Sequence, residues 1–194
     1  MNIVRLPFLA FVFFLLPAGS AMAGVYLQGF FQWLDSDFDN STGIGARVGY
    51  AFDEMNALEL EYSRTDLDSI NTIYSVDGLD VPVKGDATIN SILLNYRFTY
   101  PLTEKFRILA GAGLGATVSD VKVTTEFGDG DGTNAVFTYQ LFAGAEFFIL
   151  PQLSVHAAYR YVNFDDFDYE DGDVTVRIKA GTANVIEAAI SYYF

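Results

Sequence analysis

Along most of this chain apolar and polar residues alternate one for one. Ile44, Ala46, Val48, Tyr50 and Phe52 share one parity, and Gly45, Arg47 and Gly49 the other. Leu58, Leu60 and Tyr62 stand against Glu59 and Glu61, and Ile92, Leu94, Tyr96 and Phe98 against Ser91, Asn95 and Arg97. Ile108, Ala110, Ala112 and Leu114 oppose Arg107, Gly111 and Gly113; Phe137, Tyr139, Leu141, Ala143, Ala145 and Phe147 oppose Thr138, Gln140 and Glu146. The pattern ends with Val155, Ala157, Tyr159 and Tyr161 against Ser154, His156 and Arg160, then Ile186, Ala188, Ile190, Tyr192 and Phe194 against Glu187, Ser191 and Tyr193. A period of two marks a strand whose faces meet unlike surroundings. Eight strands are predicted, over 25–34, 43–52, 57–63, 88–98, 106–117, 135–149, 153–163 and 182–194.

Short and long connections alternate between them. Residues 53–56, 101–105 and 150–152 are tight turns, while 35–42, 64–87, 118–134 and 164–181 are longer and rich in Asp, Gly, Asn and Ser. Short turns on one rim and long loops on the other predict an all-β, eight-stranded antiparallel up-and-down transmembrane barrel. The pattern leaves open whether 73–83 extends the strands or forms a separate hairpin.

The strand charges say which face meets lipid. Arg47, Glu59, Glu61, Arg97, Arg107, Glu146, Arg160 and Glu187 all fall on the face opposite the apolar residues. An Arg or Lys facing lipid at the midplane costs about 2–4 kcal/mol, so these charges point into the lumen; a soluble barrel would be the reverse. Aromatics gather at strand ends, with Trp33, Tyr62, Phe137, Tyr139, Tyr159 and Tyr161 toward the loops. Tyr50, Phe52, Phe98, Phe106, Phe147, Tyr192 and Phe194 lie toward the turns. Two interfacial girdles are what a bilayer demands.

Composition agrees. Apolar residues make up 51% and aromatics 16%, high for a water-soluble chain of net charge −14. Nearly all of that charge lies on the four long loops, and no basic run exists to hold nucleic acid. Cysteine is absent, which removes disulfides and thiolate chemistry. The first residues carry an export signal: Arg5, an apolar run over 6–16, then small residues ending in Ala21-Met22-Ala23. Residues 1–23 are therefore expected to be a signal peptide and 24–194 one barrel domain, placed in the outer membrane of a Gram-negative cell.

Two stretches carry a resemblance. The last, 184–194, with Ile190, Tyr192 and Phe194 alternating to an aromatic end, resembles the C-terminal signal read by the barrel-assembly machinery. The run 142–164 is similar to the sixth strand, turn and seventh strand of the small outer-membrane β-barrel family. That family includes the opacity-type proteins and the barrel domain of outer membrane protein A. The resemblance implies the fold, and a role among adhesins, envelope-stabilising proteins and small porin-like channels.

Three constellations could carry chemistry. Arg47, Arg97, Arg107 and Arg160 with Glu59, Glu61, Glu146 and Glu187, joined by His156, predict a lumen charge network, because buried charges persist only when paired. The same residues could instead gate a narrow solute channel. Ser154 and His156 share a face with Glu146, the residue types of a hydrolase, but no motif accompanies them and no enzyme or cofactor is expected. Asp35, Asp37 and Asp39, and Asp166, Asp168 and Glu170, place carboxylates at alternate positions, like half a calcium loop without its closing glutamate. A solvated acidic rim is the plainer expectation. The partners expected are outer-membrane lipid, lipopolysaccharide, the assembly machinery, and an extracellular ligand or divalent cations at the loops.

Overall fold

The computed structural model describes residues 24–36, 40–76, 79–125, 128–165, 167–171, 174–178 and 181–194. The expected signal peptide, Asp37, Asp39 and Asp166 lie outside the described residues. Ten strands run in chain order. They are β1 (Gly24–Ser36), β2 (Asn40–Ala51), β3 (Asn56–Val76), β4 (Leu79–Pro101), β5 (Phe106–Thr125), β6 (Gly128–Leu150), β7 (Leu153–Phe164), β8 (Phe167–Asp171), β9 (Val174–Ile178) and β10 (Thr182–Tyr193). Eight of them close an antiparallel barrel in the order β1-β10-β7-β6-β5-β4-β3-β2, and β8 and β9 form a separate two-stranded hairpin. Closure rests on β1, where Tyr26 stands opposite Gly49 on one side and Tyr193 on the other.

The turns are built from local chemistry. Asp53 accepts the backbone amides of Met55 and Asn56 at 2.7 and 2.8 Å and the Asn56 side-chain amide at 2.9 Å. These bonds hold its carboxyl below the usual carboxylate range, the Asn56 side chain contributing most. Their contribution is present above the ordinary carboxylate range and fades as the pH falls through the lowered value. Thr103 plays the matching part in the next turn, accepting the Phe106 amide at 3.0 Å.

The described residues of all four expected loops are mostly strand. The segment 64–87 continues the β3–β4 ladder, with a register shift between Leu67 and Ile70, until Val76 pairs with Leu79. Residues 73–76 and 79–83 therefore extend the strands. The β5–β6 ladder runs on until Thr125 pairs with Gly128, and 164–181 contains the β8–β9 hairpin. Above the bilayer both faces of a strand meet water, so alternation is no longer required and Asp- and Gly-rich sequence passes for loop. The result is lopsided: β3 to β6 have 20–23 residues, whereas β1, β2, β7 and β10 have 12–13.

Outside, the barrel is a band of exposed apolar side chains, Ile44 at 64%, Leu114 at 58% and Ile92 at 57% among them. Such a surface needs hydrocarbon around it. Rim tyrosines turn their hydroxyls onto amides of the next strand: Tyr62 donates to Asn90 at 3.0 Å, Tyr159 to Asn184 at 2.5 Å, and Tyr96 to Asn56. Inside, glycines make room for rings. A Cβ on Gly45 would lie 2.1 Å from Phe30 Cζ and 2.6 Å from the Tyr62 carbonyl, and one on Gly111 2.3 Å from Phe142 Cζ.

Two predictions follow the glycines and the first turn. Gly45→Val should cost about 1–3 kcal/mol through overpacking, whereas Gly29→Ala, whose Cβ meets nothing within 4 Å, should fall within about 0.5 kcal/mol of the parent. Urea unfolding in lipid vesicles, read by the gel shift between folded and boiled protein, separates them. Asn56→Ala should move the Asp53 titration back toward the ordinary carboxylate range, measured by carbon-13 NMR.

Candidate functional site

The inward positions of seven strands meet in one hydrogen-bonded network. Arg47 projects from β2, Glu59 and Glu61 from β3, Arg97 from β4, Glu146 from β6, His156 and Arg160 from β7, and Glu187 from β10. From β1, Tyr26, Gln28, Phe30 and Gln32 close the remaining side; all four are buried.

At its centre is a ring of alternating charge. Arg47 grips Glu187 with two parallel bonds of 2.6 Å and reaches Glu61 with Nε at 2.8 Å. Arg160 completes the circuit, bonding Glu187 at 2.6 Å and Glu61 at 2.5 Å. The Phe30 ring lies beneath both guanidiniums, with centroids 4.2 Å from Arg47 and 5.5 Å from Arg160. Bidentate geometry of this kind is the strongest available to a side-chain ion pair. Amides occupy the lone pairs left over: Asn95 donates to Glu61 at 2.8 Å, and Gln140 donates to Asn95 at 2.7 Å while accepting from Arg160. His156 links Gln28 at 2.9 Å to Glu187 at 2.8 Å; Gln28 donating to Nδ1 and Nε2 donating to Glu187 satisfies both contacts.

A second layer lies toward the turns. Arg97 bonds Glu146 at 2.5 Å and Glu59 at 3.4 Å. Glu146 also accepts the hydroxyls of Ser154 at 2.6 Å and Tyr193 at 2.7 Å, and Glu59 that of Tyr26 at 2.5 Å. Arg47 Nε, 3.9 Å from Glu59, joins the layers. Arg107 stands opposite Glu146 in the strand register but stacks at the turn rim, its guanidinium 4.5 Å above the Phe148 ring. Toward the loops one side of the lumen turns apolar, with Leu34, Val162, Ala183 and Val185 packed together against Phe164, and the other is lined by the buried, hydrogen-bonded hydroxyls of Ser91, Thr117 and Thr138. Between Arg47, Glu59, Arg97, His156, Arg160 and Glu187 the remaining cavity measures about 10 Å³.

The structure thus gathers Arg47, Glu59, Glu61, Arg97, Glu146, His156, Arg160 and Glu187, and sets Arg107 at the rim. Sequence reasoning missed the β1 face. Its Gln28 and Gln32 share a parity with Tyr26 and Phe30, and the glycines that accept those rings are on β2, so only the register reveals the match. Ser154 and His156 turn to different carboxylates, Glu146 and Glu187, so neither activates the other as a nucleophile and base would. Among the described residues no three acidic or histidine side chains converge on a metal position. Asp35 is exposed on the outer face of β1, and Asp168 and Glu170 take alternate places on β8. Ile190, Tyr192 and Phe194 face outward, exposed at 51%, 49% and 66%.

A closed eight-stranded barrel, apolar outside and charged within, is the architecture of a small outer-membrane barrel. Residues 6–194 match the outer membrane protein beta-barrel domain model, and the chain belongs to that family, whose members reside in the outer membrane. A Rickettsia conorii protein named as an adhesin is 28% identical over 149 residues, covering 68% of this chain and 57% of that relative. Among solved structures, Neisserial surface protein A superposes with a TM-score of 0.59 at 14% identity, over 90% of this chain and all of that one. Ail, the attachment invasion locus protein of Yersinia pestis, gives 0.54 at 15%, over 89% of this chain and 98% of its own. At these identities the likeness concerns the fold.

Cutting the ring open should be costly. Arg160→Met or Glu61→Gln alone is expected to destabilise by about 3–5 kcal/mol, since each leaves a charged partner buried. The double variant should lose less than the sum, with a coupling of about 1–3 kcal/mol. A urea double-mutant cycle in vesicles measures it.

Proposed function

We propose that this chain is exported by its leader, 1–23, and acts at the cell surface as a sealed, non-conducting barrel that presents its extended strands and acidic loops outside the cell. The observation that carries this reading is the packed lumen. Its central cavity of about 10 Å³ is at the lower limit for one water molecule, and between it and the loops Leu34, Val162 and Val185 pack on one side while Ser91, Thr117 and Thr138 are buried and hydrogen-bonded to one another on the other. A barrel filled this way is a rigid stand, which leaves the parts beyond the bilayer to do the work. The lopsided wall of β3 to β6 is the largest such part. Kinship in sequence with a protein named as an adhesin supports a surface-interaction role.

The separated Ser154 and His156 favour a non-enzymatic reading. Ile190, Tyr192 and Phe194, displayed on the outer face at the end of the chain, suit an assembly signal. The acidic loops suit divalent-cation bridges to lipopolysaccharide phosphates.

The channel reading makes a different demand: the Arg97–Glu146 and Arg160–Glu187 contacts must part. Planar-bilayer recording of the refolded protein decides between them. No unitary current is expected from the parent barrel. Steady unitary currents that change in Arg97→Ala or Glu146→Ala would overturn the sealed-barrel reading.

A further inference from the structure

The turn end of the barrel is not filled as its centre is. A blind cup of about 840 Å³ opens between the tight turns, lined at depth by Tyr26, Arg97, Thr99, Arg107, Phe148 and Tyr193. Its size is that of a small-molecule site, typically about 300–1,000 Å³. From its chemistry we infer that this cup binds a small amphiphilic carboxylate, an acid group carried on a short aromatic or aliphatic body.

The body is recognised by the rings. Tyr193 lies against Tyr26 with centroids 4.9 Å apart and against Phe148 at 5.3 Å, a continuous aromatic wall on one side of the cup. The head is recognised by Arg107, whose guanidinium stacks 4.5 Å above Phe148; Arg97, 5.5 Å from the centre of Tyr26, is committed to Glu59, Glu146 and Thr99 and only places a second cation behind the rings. Because these rings already face the protein's own cations, a cationic guest would meet like charge, and the ordinary aromatic cage for an ammonium is taken. A guanidinium carries five N–H donors in a planar fork that fits a carboxylate. Arg107 is half-buried at the wall of the cup, where a charged hydrogen bond is less screened than in water.

The acids nearby do not reverse this preference. Asp53, Glu54 and Glu104 are exposed on the turns at the mouth, where solvent and salt screen them. Asp53 is also occupied by its own turn. Glu146, deeper, is held by Arg97, Ser154 and Tyr193. Lys105 on the mouth adds positive charge beside Arg107.

The test uses the full barrel in zwitterionic nanodiscs, with 4-fluorophenylacetate as the probe and fluorine NMR relaxation as the readout. Saturable broadening is expected with the parent protein. It should weaken about tenfold in affinity in Arg107→Gln, the size of one charged hydrogen bond, and persist in Arg64→Gln on the outer face at the loop rim. The uncharged 4-fluorophenylacetamide should bind at least as weakly to the parent as the acid does to Arg107→Gln. Should Arg107→Gln fail to give the folded gel band, fluorine-to-proton NOEs in the parent settle the location, and contacts to the Phe148 and Tyr193 rings are expected. Equal broadening by empty nanodiscs, equal binding of acid and amide, unchanged affinity in folded Arg107→Gln, or NOEs to lipid alone would each overturn the site.

Discussion

Inside hydrocarbon a backbone amide or carbonyl has no water to turn to, and each one left unpaired costs several kcal/mol. Every other feature of this protein follows from that constraint. Strands crossing lipid must pair on both edges, so the sheet closes, with β1 bonded to both β2 and β10. Closure at eight strands leaves an interior only wide enough for side chains. The alternation that puts Leu60 and Leu94 toward lipid then puts Glu61 and Asn95 inside, in a space that must be packed and hydrogen-bonded throughout.

The filling is a matter of volume as much as charge. Phe30, Tyr26 and Phe142 lie across the lumen over Gly45, Gly49 and Gly111, each at a point where a Cβ would be within 2.3 Å of a ring atom. These rings then carry the guanidiniums, Arg47 and Arg160 on Phe30 and Arg97 near Tyr26. Glycine, ring and cation form one stack, and the ion pairs take their positions from it.

Where the two faces of a strand meet different solvents, the sequence is legible. Parity alone assigned Arg47, Glu61, Glu146, Arg160 and Glu187 to the lumen, because the bilayer penalises any other placement. It was silent where that contrast ends. The described residues of 64–87 and 118–134 continue as strands, held by ladder bonds that no side-chain pattern announces. The apolar patch of Leu34, Val162 and Val185 defeated the rule in the other direction, since apolar residues of inward parity look like noise in an alternating strand. Pairings across strands, such as Phe30 with Gly45 or Arg107 with Glu146, depend on register, which appears only once the barrel is closed.

An apolar lumen of equal volume could be as stable as this one, because desolvation offsets much of what a buried ion pair contributes. The charges therefore need a reason other than stability, and register supplies it. A one-residue slip in any strand turns its inward residues outward. In an all-apolar barrel that slip would be nearly silent, as lipid and lumen would look alike to every side chain. Here a slip of β7 would send Arg160 into hydrocarbon at about 2–4 kcal/mol and strand Glu61 and Glu187 without one of their two cations. The same holds for Arg47 on β2 and Arg97 on β4. The ring of Arg47, Glu61, Arg160 and Glu187 ties β2, β3, β7 and β10 to one another across the barrel, so an error in any one of them is felt by the other three. What the network specifies is which residue of each strand faces its neighbour, and with that the height and lean of the wall that stands above the membrane.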